Sequence, residues 1–225
     1  VISILDGLDM KTILCYGDSN TFGTNPHGGR WPETIRWTGR LQHLLGAEYR
    51  VIEEGCGGRT TVWSDDLERD RNGREFLPVA LASHKPLDLV ILMLGTNDMK
   101  TRFQVSPREI AEGARQLAEL VQHYPYGPYF PVPNVLLVSP VYIGADIENS
   151  PFPGFDHGAV AKSHDLARWI AKAAGEQHCS FMDAAAFACP SGIDNLHMEA
   201  DSHEALADAF AARVREIFGN GGDTR

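Results

Sequence analysis

The sequence lacks any apolar run long enough to cross a membrane. A spanning helix needs roughly 18 or more apolar residues in succession, and the most apolar stretch, Leu87–Leu94, is far shorter. The first ten residues carry Asp6 and Asp9 and no basic residue, a composition that argues against a signal peptide. We therefore expect a cytoplasmic protein without a membrane partner. We interpret residues 1–10 as an extension, either natural or left from cloning.

Signatures of metal binding and of disulfide chemistry are missing as well. The four cysteines form no Cys-x-x-Cys pair, and the nine histidines form no His-x-x-x-His pair. Four cysteines in 225 residues do not demand disulfides, which suits the reducing cytoplasm. We predict no metal site and no cofactor.

Positive charge is scarce. The chain has 20 Lys and Arg against 30 Asp and Glu, a formal net charge of −10. Non-specific binding to a phosphate backbone needs an excess of cationic side chains, so we expect no nucleic-acid partner.

No Pro-, Gly- or Ser-rich linker and no internal repeat divides the chain. The hydrophobic fraction of 43% suffices for one sizeable core. We predict a single domain over residues 11–219, followed by a tail over residues 220–225.

Segments typical of strands alternate with segments of helical spacing. The predicted strands are Lys11–Tyr16, Tyr49–Glu53, Leu87–Leu94, Asn134–Ser139 and Ser180–Met182. The predicted helices are Thr34–Gly46, Glu75–His84, Ser106–Tyr124, Gly158–Glu176 and Ser202–Phe218. This alternation predicts a three-layer α/β/α fold, with helices on both faces of a parallel sheet. Sites in such sheets form beyond the carboxyl ends of the strands.

Four polar segments follow predicted strands or precede the last helix. They are Gly17-Asp18-Ser19-Asn20, Gly55-Cys56-Gly57-Gly58, Gly95-Thr96-Asn97-Asp98 and Asp194-Asn195-Leu196-His197. Each has a structural explanation when it is taken singly. A serine after a strand usually caps a helix, glycines punctuate turns, Asn97 and Asp98 could close an Asx turn, and a loop histidine is most often a surface residue.

Taken together, the four segments meet the needs of acyl transfer. A hydroxyl nucleophile needs a base, and the base needs an orienting group. Ser19, His197 and Asp194 can fill these roles, because the Asp-x-x-His spacing allows a turn that brings the carboxylate to the imidazole. The developing oxyanion needs convergent donors. The backbone N–H groups of Ser19 and Gly58 and the side-chain amide of Asn97 can supply them.

Other residues near these segments receive supporting roles. Asp18 is predicted to stabilise the turn beside the nucleophile, and Asp201 and Ser202 to cap the last helix. Two long loops, 20–33 and 140–157, are expected to narrow the acyl pocket, form a lid, pack against a second subunit, or merely cover the rim. As residues that line the substrate site we name Asn20, Thr96, Lys100 and Leu196.

The four segments carry a resemblance to the SGNH (GDSL-type) hydrolase family. Gly17-Asp18-Ser19 resembles its first block, Gly58 its second, Gly95-Thr96-Asn97-Asp98 its third and Asp194-x-x-His197 its fifth. Further stretches resemble the bacterial arylesterase/acyltransferase subgroup, among them Arg36-Trp37-Thr38-Gly39, Arg59-Thr60-Thr61 and Val138-Ser139-Pro140.

The resemblance implies a flavodoxin-like fold with strand order 2-1-3-4-5. It also implies metal-free hydrolysis of small or aromatic esters, with acyl transfer to alcohols or peroxide as a further activity, and a homo-oligomer as one possible state. Two positions depart from the subgroup. Asn20 stands where close relatives carry an apolar residue, and Cys56-Gly57-Gly58 replaces a Ser-Ala or Ser-Gly pair.

Four alternative functions stay open. A carbohydrate deacetylase or a thioesterase would use the same residues, because a fold does not determine a substrate. A metallophosphoesterase would use Asp18, the Asn97-Asp98 pair and His197 as ligands, although two-metal sites normally need more donors than these. A non-enzymatic flavodoxin-like binding module would not explain why Ser19, Asn97 and the Asp194-x-x-His197 pattern occur together.

Overall fold

The computed structural model describes residues 10–219. The extension predicted over residues 1–10, apart from Met10, and the tail predicted over 220–225 lie outside the described residues. Among the helices of the described part, none combines the length and the apolar character needed to cross a membrane.

Strands and helices alternate along the chain as predicted. The strands are β1 (Lys11–Gly17), β2 (Tyr49–Gly55), β3 (Leu89–Met93), β4 (Asn134–Ser139) and β5 (Ser180–Asp183). The helices are α1 (Ser19–Phe22), α2 (Trp37–Leu45), α3 (Gly73–His84), α4 (Pro107–His123), α5 (His157–Glu176) and α6 (Ala200–Gly219). All strand pairs are parallel, and the sheet order is β2-β1-β3-β4-β5. The predicted three-layer, flavodoxin-like fold is therefore confirmed.

The central strand β3 contributes to two separate cores. Its residues Val90 and Leu92 pack into the core that contains side chains of α3, α4 and α5. Leu89 and Ile91 point the other way, into the core shared with α2 and α6. Since successive side chains of a strand face opposite sides, a strand covered on both faces must be apolar throughout, which explains its continuous apolar run.

The last helix begins earlier than predicted, so that Asp201 and Ser202 are not its caps. Helix α6 starts at Ala200 and includes both residues in its first turn. The Ser202 hydroxyl accepts a hydrogen bond from the N–H of Cys189 at 3.2 Å. Its side chain therefore joins α6 to the preceding loop instead of capping the helix.

Other predicted boundaries differ by one to a few residues. Helix α2 begins at Trp37 and not at Thr34, because the N–H groups of Ile35 and Arg36 both donate to the carbonyl of Pro32 and form a turn first. The predicted loop 20–33 begins inside α1, and a helical turn interrupts loop 140–157 at Ile147–Asn149.

Candidate active site

The carboxyl ends of three neighbouring strands meet at one edge of the sheet. Gly17 at the end of β1 is in register with Gly55 of β2 and with Met93 of β3. The segments that follow these strands therefore start side by side, as is usual for sites in open parallel sheets. They carry, in chain order, Ser19, Gly58 and Asn97.

A tight turn leads from β1 into α1 and presents Ser19, which is half-buried. The Asp18 carboxylate caps α1 by accepting a hydrogen bond from the Asn20 N–H at 3.0 Å, which confirms its predicted role in the turn. A Cβ atom on Gly17 would lie 2.0 Å from Oγ1 of Thr21. Only glycine lets the chain turn back this closely.

His197 and Asp194 form a fully buried pair. Nδ1 of His197 lies 2.7 Å from Oδ2 of Asp194, and the two residues are 1% and 0% exposed. Oδ1 of Asp194 accepts hydrogen bonds from the N–H groups of Leu196 at 2.9 Å and of His197 at 2.8 Å. Burial by itself raises the pKa of Asp194, but these hydrogen bonds outweigh it and hold the pKa below its ordinary value. The carboxylate thus stays charged and engages Nδ1, which leaves Nε2 for another partner.

The turn expected from the Asp-x-x-His spacing is present. Asn195 adopts a left-handed conformation with φ 60°, which asparagine tolerates better than most residues. Its N–H donates to the carbonyl of Ser191 at 2.9 Å, and its carbonyl accepts from the N–H of Gly144 at 2.8 Å. These contacts hold the turn that places the carboxylate beside the imidazole.

Ser19 and His197 border one cavity of about 300 Å³, together with Gly58 and Asn97. In the described part of the chain, the His197 ring is hydrogen-bonded to Asp194 and not to the Ser19 hydroxyl. Catalytic hydrogen bonds are often long in proteins without bound substrate. The shared cavity, more than a formed hydrogen bond, therefore links the two side chains.

Three candidate oxyanion donors border this cavity. Neither the backbone N–H of Ser19 nor that of Gly58 has an acceptor among residues 10–219. The Asn97 amide donates one N–H to the Arg59 carbonyl at 3.1 Å, which orients the amide and leaves its second N–H for another acceptor. Gly58 has φ 78°, and a Cβ atom there would lie 2.7 Å from Oε2 of Glu68. The positive φ favours glycine at position 58, whereas the contact with the flexible Glu68 side chain could be relieved by its movement.

Asp98 ties the loop after β2 to the end of β3. Its carboxylate accepts hydrogen bonds from the N–H of Thr61 at 3.0 Å and from the Thr61 hydroxyl, which replaces the Asx turn considered from the sequence. Burial raises the pKa of Asp98 to about 6, and the nearby Asp18 adds to the rise. Burial likewise raises the pKa of Asp18 to about 6. Burial of these two carboxyl groups costs free energy, and both groups hold in place the loops that carry the candidate donors.

Two of the four residues predicted to line the substrate site border this cavity. Lys100 and Leu196 border the cavity, whereas Asn20 and Thr96 do not. The Asn20 side chain turns away towards the backbone of Leu196 and Met198. Thr96 is buried beside Asp18.

The cavity wall also includes residues that were not named one by one as site residues, four of them in the two loops, 20–33 and 140–157, considered for a role at the pocket. They are Thr24, Gly57, Glu68, Arg71, Phe152, Pro153 and Phe155. The ring of Phe152 stands edge-on to that of His197, with centroids 4.7 Å apart. Loop 140–157 thus narrows the cavity, one of the roles considered for it. The length of the connection 56–72 could have indicated Glu68 and Arg71 as site residues, since long loops in compact domains are usually functional.

An ion-pair network lies at one side of the cavity. Glu68 accepts hydrogen bonds from Lys100 at 2.6 Å and from Arg102 at 2.7 Å, and Arg102 also pairs with Asp65. Burial raises the pKa of Glu68, but the bonds from these two cations outweigh it and lower the pKa overall. Arg71 forms no ion pair among the described residues, and its Nε is buried without a partner there.

His203 is a buried histidine near the site that cannot replace His197. Its Nδ1 accepts a hydrogen bond from the N–H of Trp37 at 3.2 Å. Burial, helped by the neighbouring His197, lowers the pKa of His203 to about 4. The ring is neutral at physiological pH, and it accepts a backbone hydrogen bond at the start of α2.

The acidic residues named as possible metal ligands have other partners. Asp98 is bonded to Thr61 and Asp18 caps α1. Over residues 10–219, no group of three or more His, Cys, Asp or Glu side chains is arranged to hold a metal ion.

Residues 15–205 match the GDSL-like Lipase/Acylhydrolase family. No match was found among the curated proteins. Among solved structures, the chain is similar to the aryl esterase of M. smegmatis, with 38% identity, a TM-score of 0.85, and coverage of 92% of this chain and 99% of that chain. It is also similar to the carbohydrate acetylesterase Est24 of Sinorhizobium meliloti, with 37% identity, a TM-score of 0.86, and coverage of 92% and 99%.

Proposed function

The chain is a carboxylic ester hydrolase of the GDSL-like lipase/acylhydrolase family, and from that premise we propose that it cleaves small esters through an acyl-enzyme on Ser19. The observation that carries the proposal is the buried His197–Asp194 pair, which borders the same cavity as Ser19. Aspartate orients and stabilises an imidazole that accepts and returns a proton, and this arrangement makes serine a nucleophile.

The reaction would run in two halves. Ser19 Oγ attacks the ester carbonyl while Nε2 of His197 takes the hydroxyl proton, and the resulting oxyanion accepts hydrogen bonds from Ser19, Gly58 and Asn97. His197 then returns the proton to the leaving alcohol. Water, or an added alcohol or peroxide in the transfer reaction, attacks the acyl-enzyme in the same way and releases the acyl group.

A phosphonate probe tests this mechanism directly. A fluorophosphonate should label the protein once per chain, at Ser19, and p-nitrophenyl acetate should slow the labelling by competition. Full activity in excess chelator is expected as well. Labelling elsewhere, or loss of turnover in chelator, would favour a different nucleophile or the metallophosphoesterase. Absence of both labelling and turnover would favour a binding module.

The size of the cavity favours small esters, and its lining supports two kinds of leaving alcohol, an aryl alcohol and a sugar. A cavity of about 300 Å³ lies at the lower end of the range for ligand sites. The Phe152 ring lies beside His197, where the leaving group must receive its proton, and so favours an aryl alcohol. Oε2 of Glu68 lies beside Gly58 near Arg71, whose Nε has no partner among residues 10–219, and this polar side favours a hydroxyl-rich alcohol such as a sugar.

We predict that chain length and Arg71 separate these substrates. Acetyl and butyryl p-nitrophenyl esters should exceed the octanoyl ester in kcat/KM by roughly 10-fold or more, since a filled pocket rejects added methylenes.

Arg71→Met should lower kcat/KM for an acetylated sugar by about 10-fold, which is the effect of losing a hydrogen bond to a charged group, and should hardly affect kcat/KM for p-nitrophenyl acetate. Arg74→Met, which removes an arginine from the exposed side of α3, is the matched control. Equal losses on both substrates would contradict a sugar-binding role.

We also predict that Asn97 acts as an oxyanion donor. Asn97→Ala should lower kcat by about 10² to 10³, with a smaller change in KM, because the donor acts mainly in the transition state. Asn97→Asp should be at least as slow, since a carboxylate would repel the developing charge. Steady-state kinetics of the two variants decide the matter. Near-normal turnover of Asn97→Asp would remove Asn97 from the catalytic set.

The partners expected from the sequence stay proposals. We propose a small-molecule ester as the substrate and a homo-oligomer as the assembly to be tested by light scattering.

A further inference from the structure

The side chain of Asn20 connects the candidate nucleophile with the segment that carries the base. Asn20 follows Ser19 directly and is only 2% exposed. Its Nδ2 donates to the carbonyl of Leu196 at 3.1 Å, and its Oδ1 accepts from the N–H of Met198 at 3.2 Å. These two partners flank His197 on either side, so one amide holds both ends of the residue that carries the imidazole.

The pair of bonds depends on an amide. A backbone carbonyl can only accept and a backbone N–H can only donate, so the side chain must offer a donor and an acceptor at once. Among residues of this size, only asparagine does so with two separate atoms in one plane. An apolar side chain here would leave the carbonyl of Leu196 and the N–H of Met198 without these buried partners.

The Asn20 backbone is itself held by a hydrogen bond. The indole Nε1 of Trp37 donates to the Asn20 carbonyl at 3.1 Å. Trp37 is fully buried and stacks on Phe210 with ring centroids 4.4 Å apart. The hydrophobic core between α2 and α6 therefore supports the position from which the amide reaches His197.

We propose that Asn20 is a positioning residue that sets the distance between Ser19 and His197 through the backbone on both sides of the histidine. The inference rests on the proposed function, because it assigns Asn20 a purpose only if these two residues react together. Asn20 does not border the cavity, so a direct role in substrate binding, which we expected from the sequence, is replaced by this one. Small errors in the placement of catalytic groups are costly, since about 1 Å can lower a rate by 10²-fold.

Asn20→Leu is the decisive variant, because it retains the approximate volume and removes both hydrogen bonds. It also introduces the apolar type of residue carried by close relatives, so a fall in kcat would show that this chain depends on the amide. We expect kcat to fall by about 10-fold to 10²-fold with KM within about twofold of wild type. The fall should be the same for acetyl and butyryl esters. The rate at which a fluorophosphonate labels Ser19 should fall in parallel, because the same base activates the serine.

Gln42→Leu is the matched control. The Gln42 amide also donates to backbone carbonyls, those of Gly46 and Tyr49, and accepts from the N–H of Val51 at 2.8 Å. This clamp joins α2 to β2 away from the cavity. Its loss should lower Tm by an amount similar to that of Asn20→Leu while leaving kcat unchanged, which separates positioning from general loosening.

Asn20→Ser and Asn20→Asp complete the test. Serine is too short to reach both partners, and aspartate can still accept from Met198 but turns a second acceptor towards the Leu196 carbonyl. Both should lower kcat as Asn20→Leu does, and either one provides the measurement if the leucine variant does not fold. All assays are run well below the Tm of each variant.

Three results would overturn the proposal: normal kcat in folded Asn20 variants, an equal loss in Gln42→Leu, or a loss confined to one acyl length or to KM. Turnover in Ser19→Ala distinguishes failure of the positioning role from failure of the proposed function. If that variant is inactive and the Asn20 variants are normal, only the positioning role fails. If that variant is active, the proposed function itself fails.

Discussion

Ser19→Ala is expected to reduce ester turnover by about 10⁴ to 10⁶, the cost of removing a nucleophile in comparable triads. Labelling by the phosphonate should disappear, because the variant has no hydroxyl to form the covalent bond. The fold should persist, since Ser19 is half-buried and α1 keeps its cap from Asp18. Initial rates with p-nitrophenyl acetate, with circular dichroism as a check of folding, provide the measurement.

Ser139→Ala is the matched control for this experiment. Ser139 ends β4 at the same edge of the sheet and is 1% exposed, but it does not border the cavity. It should retain nearly full activity and labelling. A Ser19→Ala enzyme that keeps a tenth of wild-type turnover would show that another group attacks the ester.

Asp194→Asn is expected to reduce kcat by about 10⁴, as in a serine protease with the equivalent change. The amide oxygen of the variant can still accept from the N–H groups of Leu196 and His197, so the turn should survive. The amide nitrogen, however, would face Nδ1 of His197 where Oδ2 now lies. A donor in that place favours the ring form that carries its proton on Nε2, and this form cannot accept the proton of Ser19.

Asp183→Asn is the control for loss of a carboxylate at a strand end. Asp183 closes β5 and accepts from the N–H of Ala185 at 3.1 Å, without contact to His197. Its variant should show near-normal kcat at saturating substrate. If Asp194→Asn loses less than about tenfold, Asp194 does not control the protonation of the imidazole.

The amino-acid sequence by itself determined the fold and the strand-end segments. The continuous apolar run of β3 is typical of a strand buried on both faces, and Ser106 and Glu109 form a capping box at the start of α4, where the helix was predicted to begin. These features depend on residues close in the chain, so local patterns reveal them. The turn from Asp194 to His197 was predictable for the same reason, since both its ends lie within four residues.

Only the tertiary structure decided which distant residues meet at the cavity and what each side chain faces. Asn20 and Met198 are 178 positions apart, and nothing near either residue indicates the bond between them. Phe152 and Arg71 likewise reach the cavity from loops whose paths depend on packing against the rest of the domain. Periodicity reports which face of a strand or helix is buried. It carries no information on where an irregular loop ends in space, and the cavity wall is built largely from such loops.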